Sequence, residues 1–178
     1  MMIDRMRPEE FDAVFQIMEQ SFPTDERRPK EEQRTLLNEP RYAVYVHREN
    51  ARVSAFLGVW QFEDFVFVEH FAVHKDDRNR GLGKQMLTAL RKTLRLPLCL
   101  EVEPPENALA ERRIGFYQRC GLTLNPYPYM QPPISKGKNA IPLMVMSSDG
   151  VMSEEQFLKV KSVLYREVYK TNNGGIEA

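Results

Sequence analysis

Arg78-Asn79-Arg80-Gly81-Leu82-Gly83-Lys84 joins two segments of opposite character. Before it, Phe65 to Val73 is nearly all apolar, as expected of a strand covered on both faces in the middle of a sheet. After it, Leu82, Met86, Leu87, Leu90 and Leu94 fall on one helical stripe, with Lys84, Arg91, Lys92 and Arg95 outside it. The basic, glycine-containing turn therefore sits where a buried strand feeds an amphipathic helix. A helix N-terminus presents unpaired backbone N–H groups and the positive end of the helix dipole, and glycines let a diphosphate approach that backbone closely. Arg78, Arg80 and Lys84 add charge-assisted donors for phosphate oxygens. Alone, the turn also reads as a solvated basic corner; its flanks favour anion binding.

Outward from this junction, Tyr42 to His47, Val53 to Phe62 and Phe65 to Val73 are strand-like runs separated by polar turns, an antiparallel meander. Ile3 to Arg7 predicts a short strand, and Phe11, Val14, Phe15 and Met18 a helix; Pro23 to Arg41 predicts loops around a short surface helix. On the other side, Leu98 to Val102 predicts a strand and Asn107 to Arg119 a helix that Gly121 can terminate. Short strands are expected near Leu122 to Leu124 and Ile141 to Met146, with a proline-rich loop at Pro126 to Pro133. Ser153 and Gln156 make a capping-box pattern ahead of Phe157, Val160, Leu164 and Val168.

The bulk numbers narrow the function classes. A chain of 178 residues with 25 basic and 25 acidic side chains carries no net field to gather nucleic acid or an anionic membrane. Cys99 and Cys120 are too few for a disulfide framework, and no stretch approaches a membrane span, so a cytoplasmic protein is expected. His47, His70 and His74 lack metal-ligand spacing with the cysteines, and no metal is expected.

The turn, with Phe71-Ala72-Val73 before it, resembles the signature of the GNAT superfamily of acyl-CoA-dependent N-acetyltransferases: Gln or Arg, two residues, Gly, one residue, then Gly or Ala. Ile3 to Pro8 is similar to the family's beginning, and Gly115-Phe116-Tyr117-Gln118-Arg119-Cys120-Gly121-Leu122 to its late helix. Leu100 to Glu103 and Tyr129 to Pro133 match a bacterial subgroup, and the likeness spans roughly Met1 to Ser148. The resemblance implies a mixed α/β, mostly antiparallel twisted sheet of about seven strands, split in a V between its central strands and flanked by helices. It implies acetyl-CoA as donor, with Phe71, Ala72 and Val73 offering main chain to pantetheine, and the Val73 N–H polarising the thioester carbonyl. Arg78, Asn79, Arg80, Gly81, Leu82, Gly83 and Lys84 would hold the diphosphate. Asn107 matches a cofactor contact, although an ordinary helix cap explains it equally.

The acceptor implied is a primary amine, attacking directly in a ternary complex. A lysine-like amine near pKa 10.4 is mostly protonated at neutral pH, a handicap of roughly 4 to 5 kcal/mol, so a base is called for. By strand alternation Glu69 shares a face with Phe71 and Val73 and is the candidate base, directly or through water; the alternative is a buried partner for an arginine. His70 is expected on the opposite side as a packed histidine. Tyr117 matches the family's acid that protonates the departing thiolate and also contacts the cofactor; packing of a helix tyrosine is the alternative. Glu101 and Glu103, on one side of their strand, and Tyr129 are candidates for the acceptor pocket, against a solvated sheet face or salt bridging.

The expected organisation is an acetyltransferase domain over 1–149, a C-terminal helix over 150–170 packed on it, and a frayed tail over 171–178, as monomer or homodimer. Two other functions fit in part: a non-catalytic acyl-CoA-binding or regulatory module, and a nucleotide-phosphate-binding protein of another fold, which leaves Phe116-Tyr117 unexplained.

Overall fold

The computed structural model describes residues 1–171, which form a mixed α/β fold with eight strands and five α-helices. The chain falls into two compact units, Met1–Leu98 and Cys99–Ala178.

The first unit is built on an antiparallel meander. β1 (Asp4–Arg5) pairs with β2 (Tyr42–Glu49), β2 with β3 (Arg52–Gln61), and β3 with β4 (Val66–Val73). Its centre is dense: Trp60, Phe56, Phe67 and Leu57 are fully buried, each contributing about 1.5–3 kcal/mol of transfer free energy. α1 (Phe11–Ser21) packs Phe11, Val14, Phe15, Ile17 and Met18 inward and lies on β3 and β4. α2 is the short helix Lys30–Leu36. α3 (Leu82–Leu94) buries Leu82, Met86, Leu87 and Leu90 against the same two strands, the stripe expected from the sequence. It ends at Arg95, whose left-handed backbone (φ 55°) returns its N–H to the Arg91 carbonyl at 3.0 Å, two residues before Pro97.

In the second unit β8 (Ile141–Ser147) is the organising strand. β5 (Leu98–Val102), β6 (Thr123–Leu124) and β7 (Tyr129–Gln131) all pair with it antiparallel. β7 lies inside the expected proline-rich loop: the prolines at 126, 128, 132 and 133 bracket a three-residue strand without entering it. Asn125 knits the unit together, donating to Val145 O and Ser147 Oγ and accepting from the Met152 N–H at 2.7 Å. α4 (Ala108–Arg119) lies beside β6. α5 (Glu154–Val163) starts at the expected Ser153/Gln156 capping box and seats Phe157 against Tyr127, ring centroids 4.9 Å apart. It then widens into a π-helical turn, Leu164–Val168. The expected tail over 171–178 lies, beyond Thr171, outside the described residues. Among the described residues no helix is long and apolar enough to cross a membrane.

Candidate functional site

β4 and the turn after it meet in the first unit. His74 N–H donates to Ser54 O at 2.7 Å, and Ala55 opposes Val73, Phe56 opposes Ala72 and Leu57 opposes Phe71. Hydrogen-bonded and non-hydrogen-bonded pairs alternate in an antiparallel ladder, so the amides of Phe71 and Val73 point away from β3 while that of Ala72 points into it. This is the main-chain geometry expected for a strand that presents amides to a ligand.

The chain then runs through a 3₁₀ turn, Lys75–Asp77, into Arg78 to Lys84. Asn79 (φ 63°) and Gly81 (φ 76°) both take the left-handed backbone, and Gly81 is the N-cap of α3. The bend therefore depends on one residue that tolerates this conformation and one that has no Cβ to oppose it. Leu82 anchors the first turn by burial, while Lys84 is exposed beside it. A helix that begins on a left-handed glycine at a basic bend directs unpaired backbone N–H groups and the positive end of its dipole outward, where an anion is favoured.

The three basic side chains of the turn have different surroundings. Arg78 donates from Nε to Val73 O at 3.1 Å and from Nη2 to Ser21 Oγ at 3.4 Å, tying the turn to the end of β4 and to α1. Arg80 contacts two carboxylates, Glu49 at 3.0 Å and Asp77 at 3.1 Å. Lys84 forms no ion pair among the described residues.

Glu69 is not where regular alternation would put it. The β3–β4 register pairs Gly58 with His70 and Val59 with Val68, so Glu69 is the extra residue of a β-bulge. The bulge brings it to the side of His70, whose Nδ1 lies 3.4 Å from Glu69 Oε2, rather than beside Phe71 and Val73. The expectation that His70 faces the opposite side fails for the same reason. Both carboxylate oxygens accept from Arg28, Oε1 from Nη2 at 2.7 Å and Oε2 from Nη1 at 2.8 Å, with side-chain exposures of 2% for Glu69 and 7% for Arg28. Burial alone would raise this carboxyl. The Arg28 charge and the two Arg28 hydrogen bonds, with His70 adjacent, outweigh it and hold Glu69 well below the usual carboxylate range.

The segment between α1 and α2 supplies this pairing. His70 Nε2 lies 2.6 Å from Glu26 O, a pure acceptor, so that nitrogen carries a proton, and the ring meets Phe22 edge-on at 4.8 Å. Gln33, from α2, donates to the buried Tyr42 hydroxyl at 2.8 Å. Arg28 had no signal in the sequence beyond the general demand that a buried carboxylate find a cation.

In the second unit, Glu101 and Tyr129 are brought together: Tyr129 donates to Glu101 Oε2 at 2.5 Å. Tyr169, a residue the sequence reading missed, donates to Oε1 at 2.5 Å. Tyr165 lies next to Tyr129, ring centroids 6.0 Å apart, and donates to Met130 O. Glu103 is instead 4.0 Å from Arg113. Asn107 caps α4, its side-chain oxygen accepting from Ala110 N–H at 2.9 Å. Tyr117 is half-buried on α4, its ring 5.2 Å from Phe116. Burial, offset by Arg113 and reinforced by Cys120, pushes its hydroxyl up to about 12. Among the described residues no group of three or more His, Cys, Asp or Glu gathers as metal ligands.

Comparison with known proteins bears on the family and the fold. The family model described as "Acetyltransferase (GNAT) family" matches residues 11–122. A Bacillus subtilis (strain 168) protein named "Putative acetyltransferase YjbC" is 33% identical over 107 residues, 59% of this chain and 54% of that protein. The chain thus spans about half the length of that relative. The solved structure described as "Putative acetyltransferase from GNAT family from Bacteroides thetaiotaomicron" superposes with a TM-score of 0.89 at 30% identity, over 97% of this chain and all of that one. An aminoglycoside 6'-N-acetyltransferase complexed with coenzyme A shares the fold, with a TM-score of 0.61 at 14% identity over 83% of this chain and 96% of that one.

Proposed function

The chain belongs to the GNAT acetyltransferase family, and on that premise we propose that it transfers an acetyl group from acetyl-CoA to a primary amine by direct attack in a ternary complex. The observation that carries this reading is the bend at Asn79 and Gly81, which opens α3 at the end of β4 with the Phe71 and Val73 amides directed away from β3. When bound, acetyl-CoA supplies an acetyl group activated as a thioester. The main chain of Arg78 to Lys84 is assigned to the diphosphate, and Phe71 to Val73 to the pantetheine arm. The Val73 N–H is assigned to the acyl carbonyl oxygen, where a fixed donor favours developing negative charge.

Tyr117 is assigned the proton for the departing sulfur. A hydroxyl pushed up to about 12 keeps its proton throughout the neutral range. A thiol near pKa 8.5 already leaves fairly well, so this donor is an aid rather than a requirement.

Glu69 receives a different assignment from the one its position in the sequence suggested. A carboxylate whose two oxygens are both bonded to Arg28 is a poor direct acceptor for an amine proton. In this reading the pair holds the 22–28 segment against β4, and the proton leaves to water. The acceptor site is assigned to the second unit's Glu101 and Tyr129, a carboxylate suited to a cationic acceptor.

The tied Glu69 also suits the rival function, a non-catalytic acyl-CoA-binding module of the cytoplasm. Release of free thiol from acetyl-CoA, screened across lysine peptides, protein N-terminal peptides, polyamines, aminoglycosides and amino acids, separates them. Amine-dependent turnover in one class supports the enzyme. Coenzyme A binding with no turnover in any class supports the module, and no binding at all removes both.

A further inference from the structure

The basic residues of the turn differ in the kind of partner each has. Asp77, its side chain 5% exposed, accepts from Arg52 Nη2 at 2.9 Å and from Arg80 Nη1 at 3.1 Å. Arg80 continues the chain to Glu49, with Nη1 to Oε2 at 3.0 Å and Nη2 to Oε1 at 3.4 Å. Glu49 and Arg52 face each other at the tip of the β2–β3 hairpin, closed by Asn50 (φ 51°) and Ala51 (φ 62°). Arg52, Asp77, Arg80 and Glu49 therefore form a series of alternating charge that leaves the hairpin tip at Arg52, passes through the bend at Arg80 and returns to the tip at Glu49.

Two carboxylates in contact with one guanidinium compensate its charge and fix its direction. Burial by itself would raise the Asp77 carboxyl, yet bonds from Ser54 and Arg52, together with the charges of Arg52 and Arg80, keep it lowered and ionised. Arg80 lies between Asn79 and Gly81, the two residues whose left-handed backbone makes the bend. Lys84, one turn into α3, is exposed and has no carboxylate among the described residues to answer.

We propose that the turn divides its labour: Lys84 is the cation that meets the coenzyme A phosphates, whereas Arg80 is a positioning residue, held by Asp77 and Glu49, that sets the shape of the bend. Asp77 is the keystone, because its carboxylate accepts hydrogen bonds from both Arg80 and the hairpin's Arg52. The inference rests on the proposed function in one respect, that the anion received by the turn is the diphosphate of coenzyme A.

The test is titration calorimetry with coenzyme A at about 50 and about 500 mM NaCl, a range over which exposed charges become screened. Wild type, Lys84→Gln, Arg80→Gln and Asp77→Asn are compared, with amide hydrogen exchange followed over residues 78–84. Lys84→Gln is expected to weaken binding about tenfold at low salt, flatten the salt dependence and leave exchange unchanged. Arg80→Gln and Asp77→Asn are expected to weaken binding while keeping the wild-type salt slope, and to speed exchange in the bend. If Arg80→Gln flattens the salt slope as Lys84→Gln does, Arg80 is a phosphate ligand and the division is wrong. Unchanged exchange and affinity in Arg80→Gln and Asp77→Asn also overturn it. Should Asp77→Asn fail to fold, Glu49→Gln at the hairpin tip carries the same comparison. Wild type that does not bind coenzyme A defeats the proposed function itself, and this inference with it.

Discussion

Arg28 grips Glu69 by both carboxylate oxygens, at 2.7 and 2.8 Å, inside the first unit and 41 residues away in sequence. Breaking such a pair leaves a buried guanidinium without its partner, which costs about 3–5 kcal/mol. Glu69→Gln is therefore expected to lower stability by that order in denaturant unfolding. Because the carboxyl is held below the usual range, the neutral pH profile of kcat/KM should keep its shape in this variant. A neutral limb that disappears with Glu69→Gln would restore this carboxylate as the base.

The same pair makes the protein sensitive to acid. Glu69's folded pKa lies below its ordinary value of about 4.5. Its contribution to stability is therefore complete above about 4.5 and is lost as pH falls from there toward the folded value. Glu10 adds in the same direction: the hydrogen bond from Arg48, at 2.5 Å, outweighs its partial burial. The Tm should hold steady through the weakly acidic range and drop below about pH 4.5, with a shallower drop in Glu69→Gln. Parallel acid limbs in the two proteins would refute the assignment.

Gly81 tests the bend without filling it. Its φ of 76° is one that L-residues adopt at a cost of about 1–2 kcal/mol, while a Cβ there would meet only Gln85 Nε2, at 3.9 Å. Gly81→Ala should lower stability by about 1 kcal/mol and weaken coenzyme A binding through backbone shape alone. Gly83→Glu, by contrast, places a carboxylate in the first turn of α3 and should abolish acetyl-CoA binding with the fold retained. Calorimetry and circular dichroism on both variants check this; full affinity in Gly83→Glu removes the turn from the cofactor site.

What the sequence made legible was periodic or local. The α3 stripe, the β2–β4 meander and the Ser153 cap all depend on neighbours within a few residues, and the structure places them within a residue or two of expectation. The Glu69 bulge was invisible because nothing in Val68-Glu69-His70 marks an extra residue; the register is set by β3 across the pair. Arg28 and Tyr169 escaped for a similar reason. Each reaches its carboxylate over a long separation, and several arginines and tyrosines were equally eligible. β7 was hidden by prolines that surround it without interrupting it.

Tyr117→Phe should lower kcat about 10- to 100-fold, at the low end of general acid effects, with acetyl-CoA KM little changed. The departing thiol is acidic enough to leave without much help, which sets the modest size. Steady-state kinetics with the acceptor identified by the amine screen checks this. A rise in acetyl-CoA KM at constant kcat would show that the hydroxyl binds rather than donates.

Tyr169 ties the C-terminal segment to β5 chemistry. Its hydroxyl and that of Tyr129 each donate to one oxygen of Glu101 at 2.5 Å, and the π-helical turn Leu164–Val168 immediately precedes it. Such widened turns interrupt regular helical hydrogen bonding and recur at functional sites, and this one delivers Tyr169 to Glu101. Hydrogen bonds to charged groups are worth about 1.5–3 kcal/mol, so Tyr169→Phe should destabilise by that order in denaturant unfolding. The double-mutant cycle with Glu101→Gln isolates the link from the packing of the ring, and a coupling of about 1 kcal/mol or more is expected. If the two substitutions add independently, the hydroxyl does not hold Glu101, and the C-terminal segment contributes only its apolar contacts.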